Sequence, residues 1–221
     1  MDGIDASSLL PQAAFLWKAG YSVFNLDMRA HGGSGGERIG LAFEEPMDAS
    51  AALDWIASQG QPAGERVPVS IVGISMGGAT AIRTAAVRDD VDGVISVSSF
   101  ASVDRMLDQG MRLMGAPAWM TAVYRPFIGL GIATVYHVWP ATASPVHDIP
   151  GIAPRPVLIM HGTNDSQVPV ENARLLKSAG GDTVELDTVE GADHMVFVGD
   201  GSGPEDESYR NTVLTFLSGI H

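Results

Sequence analysis

The sequence contains no cysteine, so it can form neither a disulfide bond nor a metal site with thiolate ligands. It also has no uninterrupted apolar run long enough to span a bilayer. Its first residues lack both the basic and the apolar region of a secretory signal peptide. These absences lead us to expect a cytoplasmic protein without a membrane span.

Basic residues are scarce as well. The chain has 13 Lys and Arg against 26 Asp and Glu, and its formal net charge is −13 at pH 7. A surface of this charge repels phosphate backbones and anionic membranes, so we expect no nucleic-acid partner. The glycine-rich residues 32–36 lack the Gly-Lys-Ser/Thr pattern of a phosphate-binding loop, and no helix follows them at once. The sequence therefore supports no cofactor and no metal.

The composition that remains is typical of one globular domain. Of the 221 residues, 45% are hydrophobic and 18% are charged. Apolar patterns and breakers predict helices over residues 8–19, 43–59, 77–87, 169–179 and 205–218, the last opened by Pro204. They predict strands over residues 21–26, 67–72, 91–97, 157–161 and 183–189. Strands that alternate with helices indicate an α/β fold with a mostly parallel, doubly wound sheet.

Residues 100–150 break this alternation. They are rich in methionine and aromatic residues, with proline and glycine scattered between them. We expect a cap insertion over the carboxyl ends of the strands, where α/β sheets bind ligands, with residues 1–99 and 151–221 as the core. The alternative is two helices that pack into the core. The candidate substrate-binding residues of this segment are Met106, Met114, Trp119 and Trp139, because its methionines and aromatic residues suggest an apolar pocket and flexible thioethers adapt to varied apolar shapes.

Residues 73–77 have the pattern G-x-S-x-G between a predicted strand and a predicted helix. In that context the pattern is typical of a nucleophile elbow, a sharp turn that exposes the serine above the sheet. The tight turn requires small residues two positions before and two positions after the serine, and Gly73 and Gly77 meet that requirement. We expect the Met76 amide to face a developing oxyanion. The alternative is a glycine-rich turn with an incidental serine at Ser75.

A serine hydroxyl becomes a nucleophile only when a base takes its proton and a third group orients the base. Asp165 follows one predicted strand and His194 follows the next, so both belong to the rim of the sheet that carries Ser75. Asp193 is too close to His194 in sequence to orient its ring, and Asp148 precedes the strand. We therefore predict Ser75, Asp165 and His194 as a catalytic triad.

The other five histidines are weaker candidates for the base. His161 lies at a strand end, where we expect it to pack or to bond to backbone. His31 is expected to be a turn residue, His137 and His147 belong to the insertion, and His221 is terminal.

The chain resembles the α/β-hydrolases, in the serine-hydrolase branch that contains esterases, lipases and related aminopeptidases. The matching segments are residues 27–34, 73–78, 161–165 with Val168 and Pro169, and 191–194. The resemblance implies Ser75 as nucleophile, Asp165 as acid and His194 as base. A serine at this position differs from the aspartate of haloalkane dehalogenases and epoxide hydrolases.

From the motifs and the resemblance together we predict a carboxylic-ester hydrolase that forms an acyl-enzyme on small to medium apolar acyl esters. Two alternatives stay open at this stage. One is a peptide or amide hydrolase of the serine aminopeptidase type. The other is a catalytically weak hydrolase-fold binding protein.

The chain departs from the resemblance at its start. Members of the family begin with further strands, one of which ends in a His-Gly motif whose loop supplies a second oxyanion amide. Here residues 1–3 correspond at most to the tail of that loop. Three explanations are open at this stage. The chain is a truncated form, or its sheet has closed up with strand 21–26 beside strand 67–72, or a second chain completes the sheet. We expect a homo-oligomer, since an open sheet edge tends to associate, and weak catalysis unless another donor is recruited.

Overall fold

A computed structural model describes residues 9–59, 66–198, 201, 203 and 206–220. The helices of this part are α1 (Leu10–Lys18), α2 (Glu45–Ser58), α3 (Met76–Val87), α4 (Val103–Leu113), α5 (Ala118–Tyr136), α6 (Pro145–Asp148), α7 (Glu171–Gly180) and α8 (Glu207–Ser218). The strands are β1 (Ser70–Ile74), β2 (Gly93–Val97), β3 (Val157–Gly162) and β4 (Val184–Val189). Short 3₁₀ turns flank α6 and precede β4.

The four strands form one parallel sheet in the order β1-β2-β3-β4. Every residue of β2 and β3 is buried, as expected for central strands of a parallel sheet that is covered on both faces. β1 is an edge strand of the described sheet, and its Val72 is 41% exposed. Because the strands are parallel, the loops that follow them all emerge at one rim.

Two apolar clusters cover the two faces of the sheet. On one face, side chains of α2, α3 and α7 pack against β2, β3 and β4; the buried members include Leu53, Ile82, Leu176, Val94, Ile159 and Val184. On the other face, α1 and α8 pack against β2 and β3; the buried members include Leu16, Val213, Leu217, Ile95, Leu158 and Met160. The predicted doubly wound parallel α/β fold is confirmed.

The prediction of a strand over residues 21–26 is wrong. Residues 21–28 form no strand, because a strand requires a neighbour to hydrogen-bond with and no described strand lies beside this segment. The closed-up sheet, with this segment paired to β1, is therefore not found among the described residues. The predicted roles of residues 1–3, Pro204, Glu205 and His221 fall outside the described residues, as does Ser8 at the start of the first predicted helix.

Residues 100–150 are more regular than their composition indicates, since they contain α4, α5 and α6. The alternative of two core-packing helices does not hold for α5, in which only Thr121 and Gly129 are buried. Its carboxyl end is fixed to the core segment before α2, where the Tyr136 hydroxyl donates to the Ile39 carbonyl at 2.7 Å. The assignment of this segment as a cap stays a prediction. Over the described ranges, no helix combines the length and apolarity needed to cross a membrane.

Candidate active site

Ser75 lies between the end of β1 and the start of α3 in a strained backbone conformation. Its φ is 55° and its ψ is −117°, a region that costs a non-glycine residue about 1–3 kcal/mol. Three backbone hydrogen bonds hold it there. The Ser75 amide donates to the Val97 carbonyl at 2.8 Å, and the Ser75 carbonyl accepts from the amides of Gly78 at 3.0 Å and Ala79 at 3.2 Å. The turn thus has the strained geometry of a nucleophile elbow.

Two of the three glycines in this turn are required by close contacts, and the third is not. A Cβ on Gly73 would overlap the Gly77 carbonyl, and a Cβ on Gly78 would lie 2.6 Å from Ser96 Oγ and 3.1 Å from the Gly73 carbonyl oxygen. A Cβ on Gly77 would meet nothing within 4 Å. The prediction that Gly77 must be small is therefore wrong. The close backbone approach needs Gly73 and Gly78.

We expect Gly73→Ala to destabilise the protein and Gly77→Ala to be tolerated. The first variant forces the elbow backbone apart, at a cost of about 1–3 kcal/mol or more in the free energy of unfolding. The second replaces a glycine in the first turn of α3 by a better helix former and leaves stability unchanged or raised by up to about 1 kcal/mol. Urea unfolding of both variants measures the difference. Equal unfolding midpoints would contradict this account of the turn.

The Asp165 carboxylate lies in the loop after β3 and accepts hydrogen bonds at both oxygens. Oδ1 accepts from the amides of Gln167 at 2.9 Å and Val168 at 2.7 Å. Oδ2 accepts from His194 Nδ1 at 2.9 Å and lies 3.2 Å from His161 Nε2. Burial by itself raises the pKa of Asp165, but the bonds from the two histidines and the two amides hold that pKa well below its usual range. The carboxylate therefore stays ionised at neutral pH.

The neighbouring Asp193 ties the loop that carries His194 to the loop that carries Asp165. Its Oδ1 accepts from the Ser166 amide at 2.8 Å, the Ser166 hydroxyl at 2.9 Å and the His194 amide at 2.8 Å. The bond from the Ser166 amide contributes most to lowering the pKa of Asp193. Asp193 thus holds the backbone of His194, whereas Asp165 holds its ring.

Gly162, at the end of β3, allows the same two loops to meet. A Cβ on this residue would overlap the carbonyl oxygens of Ala192 and Asp193. The Asn164 amide also donates to the Ala192 carbonyl at 3.0 Å. In the sequence, Gly162 is only part of a motif. The structure shows why a residue without a side chain is required there, because the two loops are in contact at this position.

Ser75, Asp165 and His194 follow β1, β3 and β4 and lie at the same rim of the sheet. The structure brings Asp165 and His194 into direct hydrogen-bond contact. In the part of the chain that is described, the Ser75 hydroxyl has no hydrogen-bond partner. The contact between Ser75 and His194 that proton transfer requires therefore stays a prediction.

Met76 is the first residue of α3, so its amide belongs to the unpaired donors of a helix amino terminus. Its side chain packs against a buried apolar cluster that includes Ala42, Ala79 and Phe100, as do the partly buried side chains of Leu41, Phe43, Met106 and Leu107. Of these residues, the sequence singled out Met106 but not Leu41 or Phe43, because no motif marks residues 41–43.

The remaining candidates from the insertion do not join this cluster. Met114 is 81% exposed, Trp119 is 67% exposed and Trp139 is 58% exposed. Trp119 lies in the first turn of α5, whereas Met114 directly follows α4 and Trp139 follows α5. The substrate-binding role of these residues stays a prediction.

The first glycine-rich loop folds as a structural turn. The Gly33 amide donates to Asp27 Oδ2 at 2.9 Å, and the Ser34 hydroxyl donates to the Asp27 carbonyl at 2.7 Å. His31 Nδ1 lies 2.8 Å from the Arg29 carbonyl oxygen, in keeping with a turn residue. Among the described residues, no group of three or more histidines and carboxylates could hold a metal ion.

The chain matches the model of a known protein family. The profile of the family described as "Serine aminopeptidase, S33" matches residues 6–148. This range includes Ser75 but ends before Asp165 and His194. The chain also aligns with the uncharacterized protein YqkD of Bacillus subtilis (strain 168) at 27% identity over 205 residues. This alignment covers 91% of the chain and 64% of YqkD. The chain thus spans less than two thirds of the length of this curated relative.

Solved structures match over almost the whole chain. The Pyrococcus furiosus esterase Pf2001 superposes with a TM-score of 0.71 at 24% identity, over 96% of this chain and 76% of the esterase. The α/β hydrolase GrgF from Penicillium sp. sh18 superposes with a TM-score of 0.71 at 20% identity, over 98% of this chain and 86% of GrgF. At these identities the likeness establishes the α/β-hydrolase fold.

Proposed function

The chain belongs to the serine aminopeptidase S33 family of α/β-hydrolases, and from this membership we propose that it is a serine hydrolase that cleaves carboxylic esters through an acyl-enzyme. The observation that carries the proposal is the hydrogen bond of 2.9 Å between His194 Nδ1 and Asp165 Oδ2, at the rim that also carries the strained Ser75. A buried carboxylate that orients a histidine beside an elbow serine is the arrangement that activates a hydroxyl.

The proposed reaction follows from the protonation states. His194 donates from Nδ1 to ionised Asp165, so its Nε2 is free to accept the proton of the Ser75 hydroxyl. Ser75 Oγ attacks the ester carbonyl carbon, and the Met76 amide donates to the oxyanion of the tetrahedral intermediate. The intermediate collapses when His194 returns the proton to the leaving alcohol. Water then attacks the acyl-enzyme by the same route and releases the acid.

The oxyanion contacts bear on the rate. Among the described residues, the elbow offers one amide for this role, that of Met76. Loss of one of two oxyanion donors typically costs about 10²–10³ in turnover. We therefore propose that the Met76 amide is one of the donors on which turnover depends.

The substrate we propose is an ester with a small to medium apolar acyl group. The support is a set of partly buried apolar side chains that pack against one buried cluster, which includes Ala79 of the helix that follows Ser75: Leu41, Phe43, Met76, Met106 and Leu107. The flexible thioethers among them adapt to apolar shapes. The esterase activity named for the Pyrococcus furiosus structure supports the same reaction class. Residues 100–150 are proposed to form the cap of this site.

The second candidate is amide hydrolysis, which the name of the family favours. An aminopeptidase also needs acidic groups that hold a free α-amine, and the sequence offers no recognisable pair for that role. We therefore expect p-nitrophenyl butyrate to be cleaved at least about 100-fold faster, in kcat/KM, than alanine p-nitroanilide. The two substrates release chromophores that one assay can follow. Comparable values on both would favour the aminopeptidase, and cleavage of neither would favour a binding protein.

A further inference from the structure

Two histidines, rather than one, face the same oxygen of Asp165. His161 is fully buried at the penultimate position of β3. Its Nε2 lies 2.7 Å from the Val168 carbonyl oxygen and 3.2 Å from Asp165 Oδ2. His194 Nδ1 lies 2.9 Å from that same Oδ2. The mechanism above uses only His194, so the contact of His161 needs its own explanation.

The neighbours of His161 define which nitrogen carries the hydrogen. A backbone carbonyl and an ionised carboxylate can only accept, so Nε2 must be the donor. The Nδ1 atom of His161 is buried and has no hydrogen-bond partner among the described residues. The ring is therefore held as the Nε2–H tautomer, whose N–H donates to the Val168 carbonyl and also lies within ion-pair distance of Asp165 Oδ2.

This contact supplies what the backbone amides cannot. The amides of Gln167 and Val168 fix only Oδ1 of Asp165, and a carboxylate held through one oxygen can still swing the other. The His161 N–H, with its nitrogen 3.2 Å from Oδ2, limits that motion and keeps Oδ2 directed at His194. We propose that His161 is a positioning residue that aligns Asp165 with the catalytic base. The proposal rests on the function proposed above.

The charged groups around this contact are few. Asp165 is faced by His161 from β3 and by His194 from the loop after β4, and Asp193 in that loop lies close enough to Asp165 to repel its charge. A substitution of His161 therefore affects His194 through the Asp165 carboxylate.

Two substitutions of His161 distinguish the loss of its N–H donor from the loss of its side-chain volume. His161→Met keeps the volume and removes the donor, whereas His161→Gln keeps an N–H close to the place of Nε2. We expect His161→Met to lower kcat about 10- to 100-fold on p-nitrophenyl butyrate with KM changed less than about twofold, as for a small misalignment of a catalytic group. The acid-side midpoint of its kcat/KM profile should move to lower pH, because Asp165 then stabilises the charged base less well. His161→Gln should recover most of the activity.

Asn172→Leu is the matched control, because it removes a hydrogen bond from a buried side chain to the loop that carries Asp165 and Val168. Asn172 is fully buried, donates from Nδ2 to the Pro169 carbonyl at 2.8 Å and accepts from the Ala101 amide at 3.1 Å. It thus ties the same loop one residue beyond Val168 without touching Asp165. We expect this variant to lose stability but to keep the kcat and pH profile of the parent at a temperature where it is folded.

An assay without substrate makes the test independent of the proposed function. The proton on His194 Nδ1, bound to a carboxylate, gives a low-field signal in the proton NMR spectrum. This signal should broaden or shift in His161→Met and persist in Asn172→Leu. A folded His161→Met with the parental kcat, pH profile and NMR signal would overturn the positioning role. If the parent protein cleaves no ester, the proposed function fails, and the NMR comparison still decides the role of His161.

Discussion

Ser75→Ala is expected to lower the turnover of p-nitrophenyl butyrate by at least about 10⁴-fold. In serine hydrolases the residual rate after loss of the nucleophile comes from oxyanion contacts and binding, and loss of the serine alone removes nearly all of the contribution of the triad. Here a single elbow amide, that of Met76, is available to support such a residual rate among the described residues. The expected loss is therefore close to complete.

The fold of Ser75→Ala should be intact, which makes the loss interpretable. The Ser75 hydroxyl has no hydrogen-bond partner in the described ranges, so its removal leaves no polar group unpaired. We expect the free energy of unfolding to change by less than about 0.5 kcal/mol. Circular dichroism and urea unfolding check this control. A folded variant with undiminished turnover would exclude Ser75 as the nucleophile.

Asp165→Asn is expected to lower kcat by about 10⁴-fold, the effect known for the equivalent change in serine proteases. The amides of Gln167 and Val168 require an acceptor, so the Asn oxygen would take the place of Oδ1. The Asn amino group would then face His194 and His161, which both present N–H donors. His194 must change tautomer or turn away, and in either case it no longer accepts the proton of Ser75. The decisive measurement is kcat at saturating ester.

The same variant should show a defined pH dependence of stability. The folded protein holds the pKa of Asp165 below its unfolded value of about 3.9. The ionised carboxylate therefore contributes stability that is fully present above that value and is lost as pH falls through the lower, folded pKa. The stability difference between the parent and Asp165→Asn should be largest at neutral pH and shrink on acidification below pH 4. A difference that stays constant from pH 7 to pH 3 would contradict the ionised, hydrogen-bonded state.

The sequence was a good guide wherever local pattern decides the outcome. Strand–helix alternation predicted the parallel sheet, and the position of Asp165 and His194 directly after strands predicted that both reach one rim. The choice of Asp165 over Asp193 as the partner of the His194 ring agrees with the geometry, because a side chain adjacent in sequence bonds the backbone instead.

The failures concern contacts between distant parts of the chain. Residues 21–26 have strand-forming side chains, but strand formation depends on a neighbour that no local pattern reveals. The exposure of Met114, just after α4, and of Trp119, in α5, depends on how these helices are oriented, which composition does not encode. His161 was expected to pack or to bond backbone, and it does bond the Val168 carbonyl. Its second contact, with Asp165, exists only because the loop turns back onto β3. The predicted homo-oligomer and cytoplasmic location stay predictions.

The most direct test of the central claim is covalent labelling with a fluorophosphonate, followed by intact mass and peptide mapping. An activated serine attacks the phosphorus and retains the adduct, whatever the natural substrate is. We expect one adduct per chain, on Ser75, with labelling that is abolished in Ser75→Ala and strongly slowed in His194→Ala. Folded protein that takes up no label, or that carries it on another residue, would contradict a triad of Ser75, Asp165 and His194.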